Sequence, residues 1–201
     1  MVQYPLSPRP LSPSYRSGTT QSSVTFFGHE MASSMVFDST VWYGISIPSG
    51  FLASSTTLYL SNNTKGAVFI NSFKDSSADR NWQLLDMGSG SYVLRTQQLG
   101  ANATLQPQYI AGEGTTPTIA SWTLSSGCLW YIKPWGDGTF YFTNQANGTS
   151  MNLDTNSSPA ELGHLEMNSD THSSNVNQHW NISSVGTITQ TQFTSVRNGE
   201  K

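Results

Sequence analysis

A pattern that occurs three times constrains this chain more than any other feature. With Tyr92 placed over Phe140 and no gaps, Gly90 falls on Gly138, Gln97 on Gln145, Gly100 on Gly148 and Leu105 on Leu153, and in the same register Trp82 falls on Trp130. A looser copy starts at Tyr43 and runs through Leu58 to Trp82. Each copy opens on an aromatic residue and carries a tryptophan near its end. The separations are 39 residues from Tyr43 to Trp82, 38 from Tyr92 to Trp130 and 40 from Phe140 to Trp180. Three units of about 48 residues predict three similar pieces of structure whose closure on one another decides the fold.

Within the units, short apolar stretches alternate with polar residues, as strands do. They fall at Trp42–Ile47, Thr57–Leu60, Ala67–Ile70, Trp82–Leu85, Tyr92–Leu94 and Ala103–Leu105. Six more follow at Ile119–Leu124, Leu129–Ile132, Thr139–Thr143, Ser150–Leu153, His164–Met167 and His179–Ile182. Turn-forming runs separate them, among them Pro48-Ser49-Gly50, Asn62-Asn63, Gly88-Ser89-Gly90, Gly136-Asp137-Gly138 and Asn147-Gly148, where glycine and asparagine admit positive φ. No amphipathic helix of ten residues or more is evident. Twelve short strands in three sets of four predict an all-β protein, a barrel capped by hairpins that leaves few free strand edges. A solenoid of three units would expose both ends, and three blades are too few for a propeller. The β-trefoil, with pseudo-threefold symmetry, satisfies the count, and it places Trp82, Trp130 and Trp180 in one shared core.

Composition narrows the partners. Charged residues make up 10% of the chain, against ~25% in ordinary soluble domains, and the formal net charge is −3. No basic field exists to hold a phosphate backbone, so nucleic acid is not an expected partner. A polar, weakly charged surface suits a neutral polar ligand. The single cysteine, Cys128, permits no intramolecular disulfide and reads as a small buried hydrophobe beside Trp130. His29, His172 and His179 show no metal-ligand spacing, and neither a metal nor a cofactor is expected. The sequence contains no G-x-S-x-G elbow, H-E-x-x-H helix, P-loop or dinucleotide fingerprint. Glu161 and Glu166 lie near Asp154, but a shallow trefoil rim is a poor place to hold two carboxylates on opposite sides of a glycosidic bond. The expectation is a binding module and not an enzyme.

The ends differ in texture. Residues 1–35, with Pro5, Pro8, Pro10 and Pro13 among Ser, Arg and Tyr, read as an extended or disordered tail; Ser23–Phe27 within it could form a short strand. Residues 36–187 read as the folded domain and 188–201 as a C-terminal tail. The first 23 residues hold no apolar core of signal-peptide length, and no apolar run reaches the ~20 residues of a membrane span. This favours a cytoplasmic location, with an extracellular one open to a processed or truncated form. Five N-x-Ser/Thr sequons, at Asn62, Asn102, Asn147, Asn156 and Asn181, are of the kind that Asn- and Ser-rich composition generates.

The element Asn177-Gln178-His179-Trp180 is a Q-x-W motif at the end of the third unit, and Asn152-Leu153-Asp154 precedes it in the same unit. With the repeat spacing, these resemble the ricin B-type β-trefoil lectins. The run Pro134-Trp135-Gly136-Asp137-Gly138-Thr139 is similar in texture to ricin-B-like domain proteins of filamentous fungi. The resemblance spans residues 40–186 and implies shallow sugar pockets. In that family an Asp accepts hydrogen bonds from adjacent sugar hydroxyls, an aromatic ring stacks on the pyranose face, and an Asn before the Q-x-W Gln closes the polar side. By this resemblance the third unit contributes Asp154 as acceptor and Asn177 and Gln178 as closing groups. Its platform position falls near Asn168, where no aromatic stands, and His164 is the nearest ring. In the second unit Gln106 replaces the Asp and Gly127-Cys128-Leu129-Trp130 replaces the closing motif; Trp122 stands at the wrong spacing for a platform. The first unit has Tyr59 and Asp79-Arg80-Asn81-Trp82 at these positions. The resemblance therefore implies weak binding of a neutral sugar, galactose-type among the candidates, in the third unit, with glycans or glycoproteins as partners. The alternative is a protein-interaction or inhibitor trefoil whose sugar sites have decayed; oligomeric state is open.

Overall fold

The computed structural model describes residues 35–49, 56–72, 77–110, 114–155 and 163–194. The expected N-terminal tail, with Ser23–Phe27, lies outside these residues except for Met35. Twelve strands run in the order β1 (Val41–Ile47), β2 (Leu58–Asn62), β3 (Val68–Asn71), β4 (Trp82–Gly88), β5 (Ser91–Thr96), β6 (Ala103–Ile110), β7 (Gly114–Ser121), β8 (Trp130–Pro134), β9 (Phe140–Asn144), β10 (Gly148–Thr155), β11 (Leu165–Asn168) and β12 (Asn181–Thr187). Single 3-10 turns cover Ser126–Cys128 and Val176–Gln178, and a short helix α1 covers Thr191–Thr194. Each of the twelve apolar stretches in the sequence falls on one of these strands.

Pairing closes a barrel. β12 pairs with β1, β1 with β4, β4 with β5, β5 with β8 and β8 with β9, all antiparallel. The bridge Phe140↔Trp180 completes the ring. The hairpins β2–β3, β6–β7 and β10–β11 stand beside it as a cap. This is a β-trefoil. The sequence repeat is its joint: the aromatic that opens each unit is the cross-strand partner of the tryptophan that ends it, Tyr43 with Trp82, Tyr92 with Trp130 and Phe140 with Trp180.

The core follows from that joint. All three indoles are fully buried. Each donates its ring N–H to the carbonyl of a leucine of its own unit: Trp82 to Leu60 at 2.9 Å, Trp130 to Leu105 at 2.9 Å and Trp180 to Leu153 at 3.1 Å. A buried indole thus keeps its polar handle satisfied. Phe37 plugs the pseudo-threefold axis, with edge-on ring contacts to one opening aromatic from each unit: 5.5 Å to Tyr43, 5.5 Å to Tyr92 and 5.8 Å to Phe140. Cys128 is buried in a satellite cluster with Leu85, Val93 and Trp122.

One boundary differs from the sequence reading. Ile188 and Phe193, in the segment read as a tail, are buried with Trp42 in a third cluster. The Phe193 ring meets Trp42 edge-on at 4.7 Å. Its carbonyl accepts from Gln83 Nε2 at 3.0 Å and from Arg95 Nη2 at 3.4 Å. The folded domain therefore extends at least to residue 194; two apolar side chains in a polar run carry too little periodicity to mark it. Among the described residues no helix is long and apolar enough to cross a membrane.

Candidate functional site

The β8–β9 hairpin turns at Trp135–Thr139, where Trp135 N–H donates to the Thr139 carbonyl at 2.9 Å. Asp137 Oδ1 accepts from Thr139 N–H at 2.9 Å and from its hydroxyl at 2.5 Å. These bonds fold the turn back over the Q-x-W segment. Trp135 stacks on His179 at 5.2 Å with an interplanar angle of 18° and leans on Tyr141 at 4.4 Å and 36°. Its indole N–H donates to the Gln178 carbonyl at 3.2 Å. His179 is buried, with Nδ1 at 2.9 Å from Asp137 Oδ2 and Nε2 at 2.8 Å from the Ser173 carbonyl. Hydrogen bonds from Thr139, together with His179, hold the Asp137 carboxyl below its ordinary range.

Strand alternation sets the neighbouring wall. Lys133 lies opposite Tyr141 and Tyr131 opposite Thr143 on one side of the hairpin, while Trp130–Asn144, Ile132–Phe142 and Pro134–Phe140 form the alternate pairs of the ladder. β10 then brings Asn152 against Thr143. The result is a groove of about 170 Å³ lined by Lys133, Trp135, Tyr141, Thr143, Thr149, Asn152 and Thr171. It is smaller than the ~300–1,000 Å³ of drug-sized sites and combines two half-buried aromatic rings with hydroxyl and amide groups.

Behind the groove lies a chain of buried polar side chains. Asn152 Nδ2 donates to Gln178 Oε1 at 2.8 Å, and Gln178 Nε2 donates to Asp154 Oδ2 at 2.8 Å. Asn175 Nδ2 donates to the same carboxylate oxygen at 2.9 Å. Burial pushes the Asp154 carboxyl up to about 6; the hydrogen bonds from Gln178 and Asn175 oppose this, and the Glu166 and Asp170 charges add to it. Asp170 itself is held below the ordinary carboxylate range by its hydrogen bonds from His172.

The four residues marked by the sequence separate. Asp154 and Gln178 come together, but they are 1% and 0% exposed and stand off the groove wall, committed to each other. Asn177 is half-buried; its N–H donates to Asn175 Oδ1 at 3.3 Å and its carbonyl accepts from Thr155 at 3.4 Å. His164, one residue before β11, is half-buried and is not among the groove-lining residues. Glu161 lies outside the described residues. In the second unit, Gln106 Nε2 donates to Thr104 and to the Ser121 carbonyl, and Trp122 is buried. In the first, Tyr59 lies under the Arg80 guanidinium at 6.0 Å. The groove aromatics Trp135 and Tyr141 were not picked out as ligand-facing. A tryptophan immediately before a Gly-Asp-Gly turn was the available signal, since a hairpin tip is a poor place to bury an indole. Among the described residues no cluster of three or more His, Cys, Asp or Glu side chains is suited to hold a metal ion.

The sequence matches no protein-family model and no curated protein. Solved structures do match it in fold. The designed 3-fold symmetric protein ThreeFoil superposes with a TM-score of 0.58 at 21% identity, over 72% of this chain and 99% of that one. Cry35Ab1 gives 0.56 at 19% identity, over 78% of this chain and 39% of that one. The exo-β-1,3-galactanase 1,3Gal43A from Clostridium thermocellum gives 0.55 at 19% identity, over 75% and 31%. At these identities the likeness is one of fold: the chain is a β-trefoil.

Proposed function

We propose that this chain is a carbohydrate-binding, lectin-like β-trefoil of the ricin B type, acting as a binding module and not as an enzyme. The third unit, with the hairpin that enters it, holds the sugar. The observation that carries this is the pairing of Trp135 and Tyr141, half-buried and 4.4 Å apart, beside the hydroxyls and amide of Thr143, Thr149 and Asn152. An aromatic ledge meets the C–H face of a pyranose while polar groups meet its hydroxyls. The likeness to a galactanase that carries more than this fold supports the same class of ligand. In this reading Asp154 and Gln178 support the site from behind: Gln178 holds Asn152 by its side chain and Trp135 by its backbone. A groove this small implies weak single-site affinity, which clustering of chains would raise. Against catalysis, Asp154 faces Glu166 in the β10–β11 register and its Oδ2 accepts from two amides, and among the described residues that line the groove there is no carboxyl group.

A glycan array at high protein density tests the proposal. Retention on at least one glycan is expected, with loss in Trp135→Ala and in Tyr141→Ala while the thermal midpoint of the second variant stays near wild type. A blank array would sink it. The burial of Asp154 and Gln178 favours a second reading, a protein-interaction trefoil in which the motif survives as scaffold. Inhibition of a protease panel without glycan retention would establish that reading instead.

A further inference from the structure

Composition alone points to a neutral ligand, but the groove wall carries one formal charge. Of its lining groups only Lys133 is ionised. Its side chain is exposed, and among the described residues no ion pair ties it down. Three aspartates of the hairpin turn and the third unit are already engaged. Asp137 is held by Thr139 and His179, Asp170 by His172, and Asp154 by Gln178 and Asn175. A second observation comes from the groove floor. Thr143 is 2% exposed and its hydroxyl has no hydrogen-bond partner within the protein. Buried hydroxyls without partners are rare in native folds, and each asks for a cause. The strand register puts the two groups on one side of the hairpin, Lys133 across from Tyr141 and Thr143 two residues further along β9.

We propose that the groove is built for a sugar ring bearing an anionic substituent, with the ring on Trp135 and Tyr141, the negative charge on Lys133, and the Thr143 hydroxyl completing its hydrogen bonding on the ligand. This rests on the carbohydrate reading above and adds to it the class of sugar. A carboxylate and a sulfate meet the same chemistry, so both belong in the test. Lys133 acts as a point charge and does not impose the planar geometry that an arginine would.

The experiment is calorimetric titration of the whole chain with methyl galactoside, methyl galacturonide and galactose 6-sulfate at low and high salt. At low salt at least one anionic sugar is expected to bind about tenfold more tightly than the galactoside, with the advantage shrinking at high salt. Lys133→Gln is expected to abolish the advantage, bringing the anionic sugars to the affinity of the galactoside for the same variant. Thr143→Val is expected to weaken the anionic sugar severalfold while leaving the thermal midpoint unchanged or higher, because it removes an unsatisfied hydroxyl at constant shape. The galactoside binding as tightly as both anionic sugars, or an undiminished preference in Lys133→Gln, would overturn this inference and leave the carbohydrate reading standing. No binding by any of the three sugars would overturn both. A midpoint several degrees lower in Thr143→Val would mean that the hydroxyl serves the fold and not a ligand.

Discussion

Gln178 Nε2 donates to Asp154 Oδ2 at 2.8 Å across a contact in which both side chains are cut off from solvent. The motif glutamine and the motif aspartate therefore satisfy each other, and the electrostatic consequence can be measured. Burial raises the Asp154 carboxyl from 3.8 to about 6. Between about pH 4 and 6 the folded chain then holds a proton that the unfolded chain has released. The contribution of Asp154 to stability is most favourable below pH 4 and falls as pH rises to 6, after which it stays flat. The full span corresponds to roughly 3 kcal/mol. Asp154→Asn keeps an acceptor for Gln178 and Asn175 and removes the charge, so it is expected to stabilise the fold at pH 7 by up to that amount. Urea midpoints of wild type and variant from pH 4 to 7 should converge at the acid end. Asp38, Asp137 and Asp170, all held low, lose their contributions at still lower pH in both proteins, so the difference isolates Asp154. A variant less stable at pH 7 than wild type would refute the assignment.

The three indole bonds make a second prediction. Trp130→Ala removes a fully buried ring and should cost roughly 3–5 kcal/mol. Trp130→Phe keeps most of the burial but leaves the Leu105 carbonyl without its 2.9 Å donor, at about 1–3 kcal/mol. Trp82 and Trp180 make the same bond to Leu60 and Leu153, so the three Trp→Phe costs should fall close together. Denaturant unfolding of the three single variants checks this, and a spread wider than about 2 kcal/mol would show that the pseudo-symmetry of sequence does not extend to energetics.

The fold was legible because its joint is written in aromatic residues at fixed separations. Tyr92 and Trp130 lie 38 residues apart because they must meet across β5 and β8. The groove was not legible in the same way. Lys133 and Trp135 enter from the end of the second unit, Tyr141 and Asn152 from strands of the third, and Thr171 from the loop after β11. No pattern confined to one unit registers that convergence. Asp154 and Gln178 were legible as a motif. Their sequence spacing could not reveal that each would be the other's hydrogen-bond partner, since that depends on how the 3-10 turn at Val176–Gln178 packs on β10. Phe193 escaped notice for a simpler reason: one ring among threonines and glutamines has no period.

That ring supports a third prediction. Phe193 is buried against Trp42 and Arg95, and its carbonyl helps hold Gln83 and Arg95. Phe193→Ala should cost about 3–5 kcal/mol. Ending the chain at Thr189 should cost at least as much, because it also removes an acceptor from two buried side chains. Thermal unfolding of both variants decides the matter. If the truncated chain melts with wild type, the C-terminal segment is not part of the folded unit.

Two glycines provide a matched comparison for the contact between hairpin caps. Gly66 and Gly90 both have positive φ, 87° and 74°, so an alanine at either position meets a backbone penalty of about 1–2 kcal/mol. Their surroundings differ. A Cβ at Gly90 would have nothing within 4 Å, whereas one at Gly66 would stand 2.7 Å from the backbone oxygen of Ile119. Ile119 N–H also donates to the Gly66 carbonyl at 2.8 Å, so the β2–β3 turn of the first unit is fastened to β7 of the second at this point. A methyl group there must either break that bond or shift a strand. Gly90→Ala should therefore lower stability by about 1–2 kcal/mol, and Gly66→Ala by roughly twice as much or more. Amide exchange adds the spatial readout. In Gly66→Ala the Ile119 amide should lose protection ahead of the barrel strands, because only the cap contact is severed. Equal costs for the two substitutions would mean that the hairpins of neighbouring units are held by the barrel beneath them and not by each other.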